Sequence, residues 1–200
     1  MDIVFPNNNE KEFLEIAEWL GTNELLLAYP LKRLEAVTTS EGFIKLIESS
    51  KVKIRVGIIA EPKEVQLARK EGITVLCRAL AKPADRWLFE KAKPDIIFDL
   101  EQSPEPDSLH QRNSGLNHVL AAIAAKNRIA IGFSFASILN SSGTRRAQLL
   151  GRIAQNTALC KKYDVKCFFA SFASSPWEMR GEHELKAIGE LIGFSLKQNL

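Results

Sequence analysis

Short runs of aliphatic and β-branched residues alternate along this chain with segments whose apolar positions recur at helical spacing. The runs are Asp2 to Phe5, Leu25 to Tyr29, Ile54 to Ala60, Thr74 to Arg78, Ile96 to Leu100, Ile129 to Phe135 and Lys166 to Phe172. They are near-continuous in apolar character, as in Val56-Gly57-Ile58-Ile59 and Phe168-Phe169-Ala170, which is the pattern of strands covered on both faces. Seven such strands, each followed by a helical segment, predict repeated βα units and a parallel sheet.

Several helix starts are legible. Asn9 stands three residues before Glu12, and Ser175-Pro176-Trp177-Glu178 combines a capping box with proline at the first helical position. Glu61-Pro62 opens a further helix ahead of Val65, Leu67 and Ala68. The longest gap, Glu101 to Gln111, holds Pro104, Pro106 and acidic residues and reads as a loop. After it, Asn113 or Ser114 is expected to cap a helix that turns Leu116, Val119, Leu120 and Ile123 to the core. Ile188 to Leu196 fits either a last helix or a degenerate eighth strand. Seven βα units in 200 residues suit a TIM-like (β/α) barrel, complete or incomplete, and residues 1–200 read as a single domain. In a barrel, function gathers at the carboxyl ends of the strands, so Arg78, Asp99, Ser134, Ser171 and the loop leading to Arg112 are expected on one rim.

Composition narrows the class. The chain is 46% hydrophobic and 26% charged, which excludes disorder and collagen. No stretch approaches the roughly 18 apolar residues of a membrane span, and Met1-Asp2-Ile3-Val4 lacks the basic flank of a secretory signal, so a soluble cytoplasmic protein is expected. Cys77, Cys160 and Cys167 form no CxxC pair and read as reduced, buried thiols. The net charge of +3 is unevenly spread. Residues 110–180 carry ten basic side chains (Arg112, Lys126, Arg128, Arg145, Arg146, Arg152, Lys161, Lys162, Lys166 and Arg180) against two acidic ones (Asp164 and Glu178). Cations confined to part of a surface suit a polyanion, because Lys and Arg displace the counterions condensed along phosphates.

Catalytic motifs are scarce. The histidines are His110, His118 and His183, none at a strand end, so a multinuclear metal site is not expected. His118, at a helix head, reads as structural or exposed rather than as a general base. Ser114 lies in no nucleophile elbow, and P-loop and GxGxxG sequences are absent. Asp99 and Glu101 fit either one Mg²⁺ or the anchoring of Arg112 or Arg78, with anchoring favoured.

Arginine at helix starts is the stronger signal. Arg112 precedes Asn113-Ser114-Gly115-Leu116-Asn117, Arg145 and Arg146 follow Ser142-Gly143-Thr144, and Arg180 follows Pro176-Trp177-Glu178-Met179. Arg145, Gln148, Arg152 and Gln155 share a polar helix face opposite Leu149, Leu150 and Ile153. Cations at a helix N-terminus oppose the macrodipole unless an anion compensates, so a bound anion is implied. Trp177 is expected either to cover the barrel end, the commoner role, or to stack on a base.

The run Arg112-Asn113-Ser114-Gly115-Leu116-Asn117-His118-Val119-Leu120, the Arg145-Arg146 helix start and Pro176-Trp177-Glu178-Met179-Arg180 resemble the RNase P protein component 3 family, over nearly the whole chain. The resemblance implies a TIM-barrel-like fold related to metal-dependent phosphoesterases whose ligands are missing here. It also implies a noncatalytic subunit of ribonuclease P, the ribonucleoprotein that removes the 5′ leader of precursor tRNA. The implied partners are RNase P RNA, RNase P protein component 2, the other RNase P proteins and, for the holoenzyme, precursor tRNA; no membrane is involved. No cofactor is expected on this chain, Mg²⁺ being required by the RNA. RNA contact is then expected at Arg112 with Asn113 and Asn117, at Arg145 and Arg146, and at Arg180, with Arg78 as a further position. A stand-alone (β/α)-barrel phosphoester hydrolase and a protein-protein adaptor are the alternatives.

Overall fold

The strands are β1 (Asp2–Val4), β2 (Glu24–Pro30), β3 (Lys53–Ile59), β4 (Thr74–Arg78), β5 (Ile96–Phe98), β6 (Ala130–Ser134) and β7 (Cys167–Ala170), within a residue or two of the apolar runs in most cases. The computed structural model describes residues 1–69, 72–79, 86–109 and 112–194. All neighbouring strands are parallel and follow chain order from β1 to β7. The ring closes without an eighth strand among the described residues. Past β7, Ala173 bridges Val4, the Phe5 N–H donates to the Ala173 carbonyl at 2.8 Å, and the Ser171 N–H donates to Asp2 Oδ1 at 2.7 Å.

Residue alternation sends one set of side chains into the barrel and the other toward the helices. Ile3, Leu26, Leu76, Ile96, Phe98, Phe168 and Phe172 fill the interior. Phe98, Phe168 and Phe172 stack there, with ring centroids 5.1 and 6.0 Å apart, and Phe5 joins at 5.4 Å from Phe98. Gly132 makes the room: a Cβ at that position would stand 2.5 Å from the Phe172 ring. Val4, Leu25, Leu27, Val75, Ile97, Ile131 and Phe133 face outward into the larger core beneath the helices.

The helices are α1 (Glu10–Trp19), α2 (Leu31–Thr38), α3 (Glu41–Ser49), α4 (Val65–Ala68), α5 (His118–Asn127), α6 (Phe135–Leu139), α7 (Gly143–Lys162) and α8 (Glu182–Leu191). Ser175 forms the expected capping box and Glu61 an unexpected one, each with proline next in line and on a short 3-10 turn, Pro176–Glu178 and Pro62–Glu64. Asn9 precedes α1 as expected, but its side chain accepts from the Asn7 N–H rather than capping the helix. The Ile188 to Leu191 stretch is helical, and the pattern beyond Phe194 lies outside the described residues. All three cysteines are buried and free, and burial pushes the Cys77 thiol up to about 12. No helix among the described residues is long and apolar enough to cross a membrane.

The helix after the long loop departs from expectation. It begins at His118 and is capped by Asn117, whose Oδ1 accepts from the Leu120 N–H at 2.9 Å; neither Asn113 nor Ser114 caps it. The cause is Gly115, whose φ of +77° reverses the chain before the helix and whose missing Cβ would meet the Leu100 carbonyl oxygen at 2.2 Å. Leu120, Ala121 and Ala124 then form the buried face, while Val119 is exposed.

Candidate functional site

The carboxyl ends of β4, β5 and β6 open on a polar cavity lined by Arg78, Asp99, Gln102, Ser134, Ser137, Asn140 and Glu178, with Phe5 and Phe172 also in its wall. Arg78 follows Leu76 by two on β4, so it points inward at the mouth. Its Nε lies 2.9 Å from Asp99 Oδ2, its guanidinium sits 5.3 Å above the Phe98 ring, and its side chain stays 59% exposed. Asp99 therefore anchors Arg78, one of the two expected arginines, and also accepts from the Ser137 hydroxyl at 3.2 Å. Burial pushes the Asp99 carboxyl up, against the pull of Arg78 and Ser137. Beside it Glu101 is fully buried, and neither of its oxygens makes a hydrogen bond of ordinary geometry. Burial, reinforced by the Asp99 carboxylate and only partly offset by backbone N–H groups and Arg145, pushes Glu101 up to about 8.

The stripe Arg145, Gln148, Arg152 and Gln155 on α7 does not face solvent as a whole; it clamps the segment between β5 and α5. Arg145 donates to Gln102 Oε1 at 2.8 Å and to Gln148 Oε1 at 2.7 Å. Arg152, read from sequence as part of a polar face, is fully buried. It donates to the carbonyls of Glu101 at 3.0 Å, Ser103 at 2.7 Å and Glu105 at 2.5 Å, and pairs with Asp107 at 2.7 Å. Gln155 donates to Ser114 Oγ at 2.9 Å and to the Arg112 carbonyl at 3.3 Å, and Asn156 to the Ser114 carbonyl at 2.7 Å. Burial works to raise the Asp107 carboxyl, but Arg152, the Asn113 N–H and Gln148 outweigh it and hold it below the usual range. A signal for the Arg152 role was present: it falls three residues after Leu149 and four before Asn156, on the buried stripe that continues to Cys160.

Arg112 lies across α7 at Gly151, where a Cβ would come within 2.8 Å of its Nε. It is exposed, and among the described residues its guanidinium has no hydrogen bond or ion pair. Asn113 is spent inside the loop, its N–H on Asp107 and its side-chain amide on the Pro106 carbonyl. Arg146 donates to the carbonyls of Ser141 at 2.7 Å and Ile138 at 3.2 Å, closing the end of α6 while keeping its charge. Ser171 is buried, holding Asp2 and accepting from the Arg180 N–H, and does not line the mouth. Nor does Arg180. Its guanidinium donates to the Trp177 and Met179 carbonyls, covers the Phe135 ring at 5.3 Å and lies outside the wall at the β1–β7 seam. Trp177 is 77% exposed, so the expected burial is wrong. His118 and His183 are exposed; His110 and Gln111 lie outside the described residues.

Chemically, a guanidinium group without an acid partner is able to take an anion. Arg112, Arg145 and Arg146 have no acid within ion-pair distance among the described residues, whereas Arg78 and Arg152 are matched by Asp99 and Asp107. No three His, Cys, Asp or Glu side chains among the described residues are grouped to hold a metal ion.

Comparisons with known proteins agree with the earlier resemblance. Ribonuclease P protein component 3 of Thermococcus kodakarensis is 39% identical over 88 residues, 44% of this chain and 40% of that protein. The protein of the same name from Methanosarcina mazei is 28% identical over 195 residues, 93% of this chain and 75% of the relative. The alignments with the Thermococcus kodakarensis and Methanosarcina acetivorans proteins thus each span 40% of the relative's length. A chain of the cryo-EM structure of archaeal ribonuclease P with mature tRNA shares the fold with a TM-score of 0.75 at 24% identity, covering 98% of this chain and 84% of that one. Residues 51–199, which include β3, the arginine-bearing loops and α8, match the model of RNase P subunit p30, and the chain belongs to that family.

Proposed function

We propose that this chain is a noncatalytic protein subunit of ribonuclease P that binds the catalytic RNA at the carboxyl-end mouth of its barrel and supports it in removing the precursor-tRNA leader. The observation that carries this reading is that Arg112, Arg145 and Arg146 stay unneutralised by acids, on a loop and helix that Arg152 locks together. Guanidinium groups fixed in place suit planar, bidentate contact with phosphate, and holding phosphates close lowers the Mg²⁺ an RNA needs to keep its fold. The chain itself is taken to bind no cofactor. Arg78 keeps its terminal nitrogens available at the mouth, and exposed Trp177 offers a ring for an unpaired base. Asn113 and Asn117 act on RNA through the loop and helix cap they hold, and Arg180 contributes charge from the seam. RNase P protein component 2, the other protein subunits and precursor tRNA complete the assembly in this reading, in the cytoplasm.

The test is reconstitution of ribonuclease P from its RNA and other proteins with and without this chain. Cleavage of precursor tRNA at low Mg²⁺ should require the chain and weaken in Arg112→Ala/Arg145→Ala. Undiminished cleavage without it contradicts the proposal.

A further inference from the structure

The cations that make residues 110–180 basic do not share one end of the barrel. Lys126, Arg128, Lys161, Lys162 and Lys166 all lie at the opposite pole, where the strands begin: Lys126 in the last turn of α5, Arg128 as its C-cap, Lys161 and Lys162 in the last turn of α7, and Lys166 just before β7. Topology sets them side by side. α5 packs on α7, β6 pairs β7 from Ile131 opposite Cys167, and the Ile131 N–H donates to the Lys166 carbonyl at 2.9 Å.

All five are exposed, and among the described residues none makes a hydrogen bond or ion pair through its side chain. Lys162 alone leans on a ring, that of Tyr163 at 5.6 Å. The acid in these turns is Asp164, and Asp95 in the adjoining loop accepts from the Val75 N–H at 2.8 Å. Lys126, Lys161 and Lys162 complement the macrodipoles of α5 and α7. Arg128, the C-cap of α5, stands at the same negative end, whereas Lys166 lies outside the helices.

Arg145 and Lys162 stand at the two ends of the same rigid helix. Their separation is about 25 Å at 1.5 Å per residue, or about three Debye lengths at physiological salt. Charges so far apart do not act on one phosphate group together, so the pole is a surface in its own right. We propose that it binds a second stretch of ribose-phosphate backbone, so that the chain bridges two segments of RNA. Lysine dominates the pole and arginine the mouth, which makes the pole a set of point contacts indifferent to sequence. The choice of RNA as the polyanion rests on the function proposed above; the surface itself does not.

The experiment uses the chain and a 24-base-pair RNA duplex, following affinity against salt and the capture of a labelled duplex by an immobilised one, with the protein shown to be monomeric. Changing Lys126, Arg128, Lys161, Lys162 and Lys166 to Gln should flatten the log–log salt slope by about 0.9 for each lost phosphate contact, weaken affinity about tenfold or more, and abolish capture. Arg112→Ala/Arg145→Ala should also abolish capture but keep the share of the slope that belongs to the pole. If the glutamine variant, folded by circular dichroism, keeps the wild-type slope and capture, the proposal is wrong. If it loses them while the mouth variant loses nothing, the pole stands and the mouth reading above fails.

Discussion

Replacing Arg152 with methionine tests the clamp on which the mouth depends. The substitution keeps much of the side-chain volume but removes every donor to the Glu101, Ser103 and Glu105 carbonyls and leaves Asp107 without its cation. Arg152 is fully buried, so water is poorly placed to replace what is lost. Leaving buried carbonyls without their donor costs about 1–3 kcal/mol each, with less from the ion pair because Asp107 is partly exposed. Together these losses are a large part of the roughly 5–15 kcal/mol by which a domain is stable. The damage is local in the first instance, because the partners all lie between Glu101 and Asp107. Urea denaturation should show the loss, and hydrogen exchange should show faster opening across residues 101–117 than in β1 to β3. RNA affinity should also fall although Arg152 touches no solvent, because Arg112 and Asn113 leave their positions. Arg152→Lys, which keeps the charge without the fork, should lie between the two. A cost below about 1 kcal/mol, or unchanged exchange in this loop, refutes the clamp.

Further outcomes follow from the same geometry. Glu101 is raised from 4.5 to about 8 in the folded chain, so its contribution to stability is complete below pH 4.5 and is lost as the pH rises toward 8. The loss should approach about 1.4 kcal/mol per pH unit at most, and Glu101→Gln should flatten urea-derived stability across that window; an equal slope in both proteins counts against a protonated Glu101. Gly115→Ala meets the Leu100 carbonyl as well as an unfavourable φ and should cost several times the roughly 1 kcal/mol of an ordinary positive-φ replacement, read as a drop in melting temperature. Gly151→Ala removes a helix-interior glycine, so it should leave stability level or raise it by about 0.5–1 kcal/mol while pushing Arg112 aside and weakening RNA binding; lower stability with unchanged binding reverses that reading.

The barrel was legible because parallel strands buried on both faces are apolar almost without interruption, as Val56 to Ile59 and Phe168 to Ala170 are. Closure was not legible, since Ala173 joins Val4 through backbone groups that carry no sequence signature. Side-chain type marked the arginines, but their partners lie on other elements. Arg145 meets Gln102, and Arg112 crosses Gly151, at sequence distances that no local pattern spans. Arg152 was misread because a charged residue suggests a solvated face, whereas a planar donor fork can be buried when carbonyls converge on it. Arg180 shares its motif with Glu178, which lines the mouth, but its own guanidinium folds back on the Trp177 and Met179 carbonyls and the Phe135 ring, a reach that residue order does not reveal.

The proposed grip of the unneutralised guanidinium groups on the phosphates of RNase P RNA is electrostatic. It is tested most directly by the salt dependence of the chain's affinity for that RNA, in the wild type and in Arg112→Ala/Arg145→Ala/Arg146→Ala. The variant should fold and show a slope shallower by about 2–3, with weaker binding at every salt concentration. Equal slopes and equal affinities would contradict it.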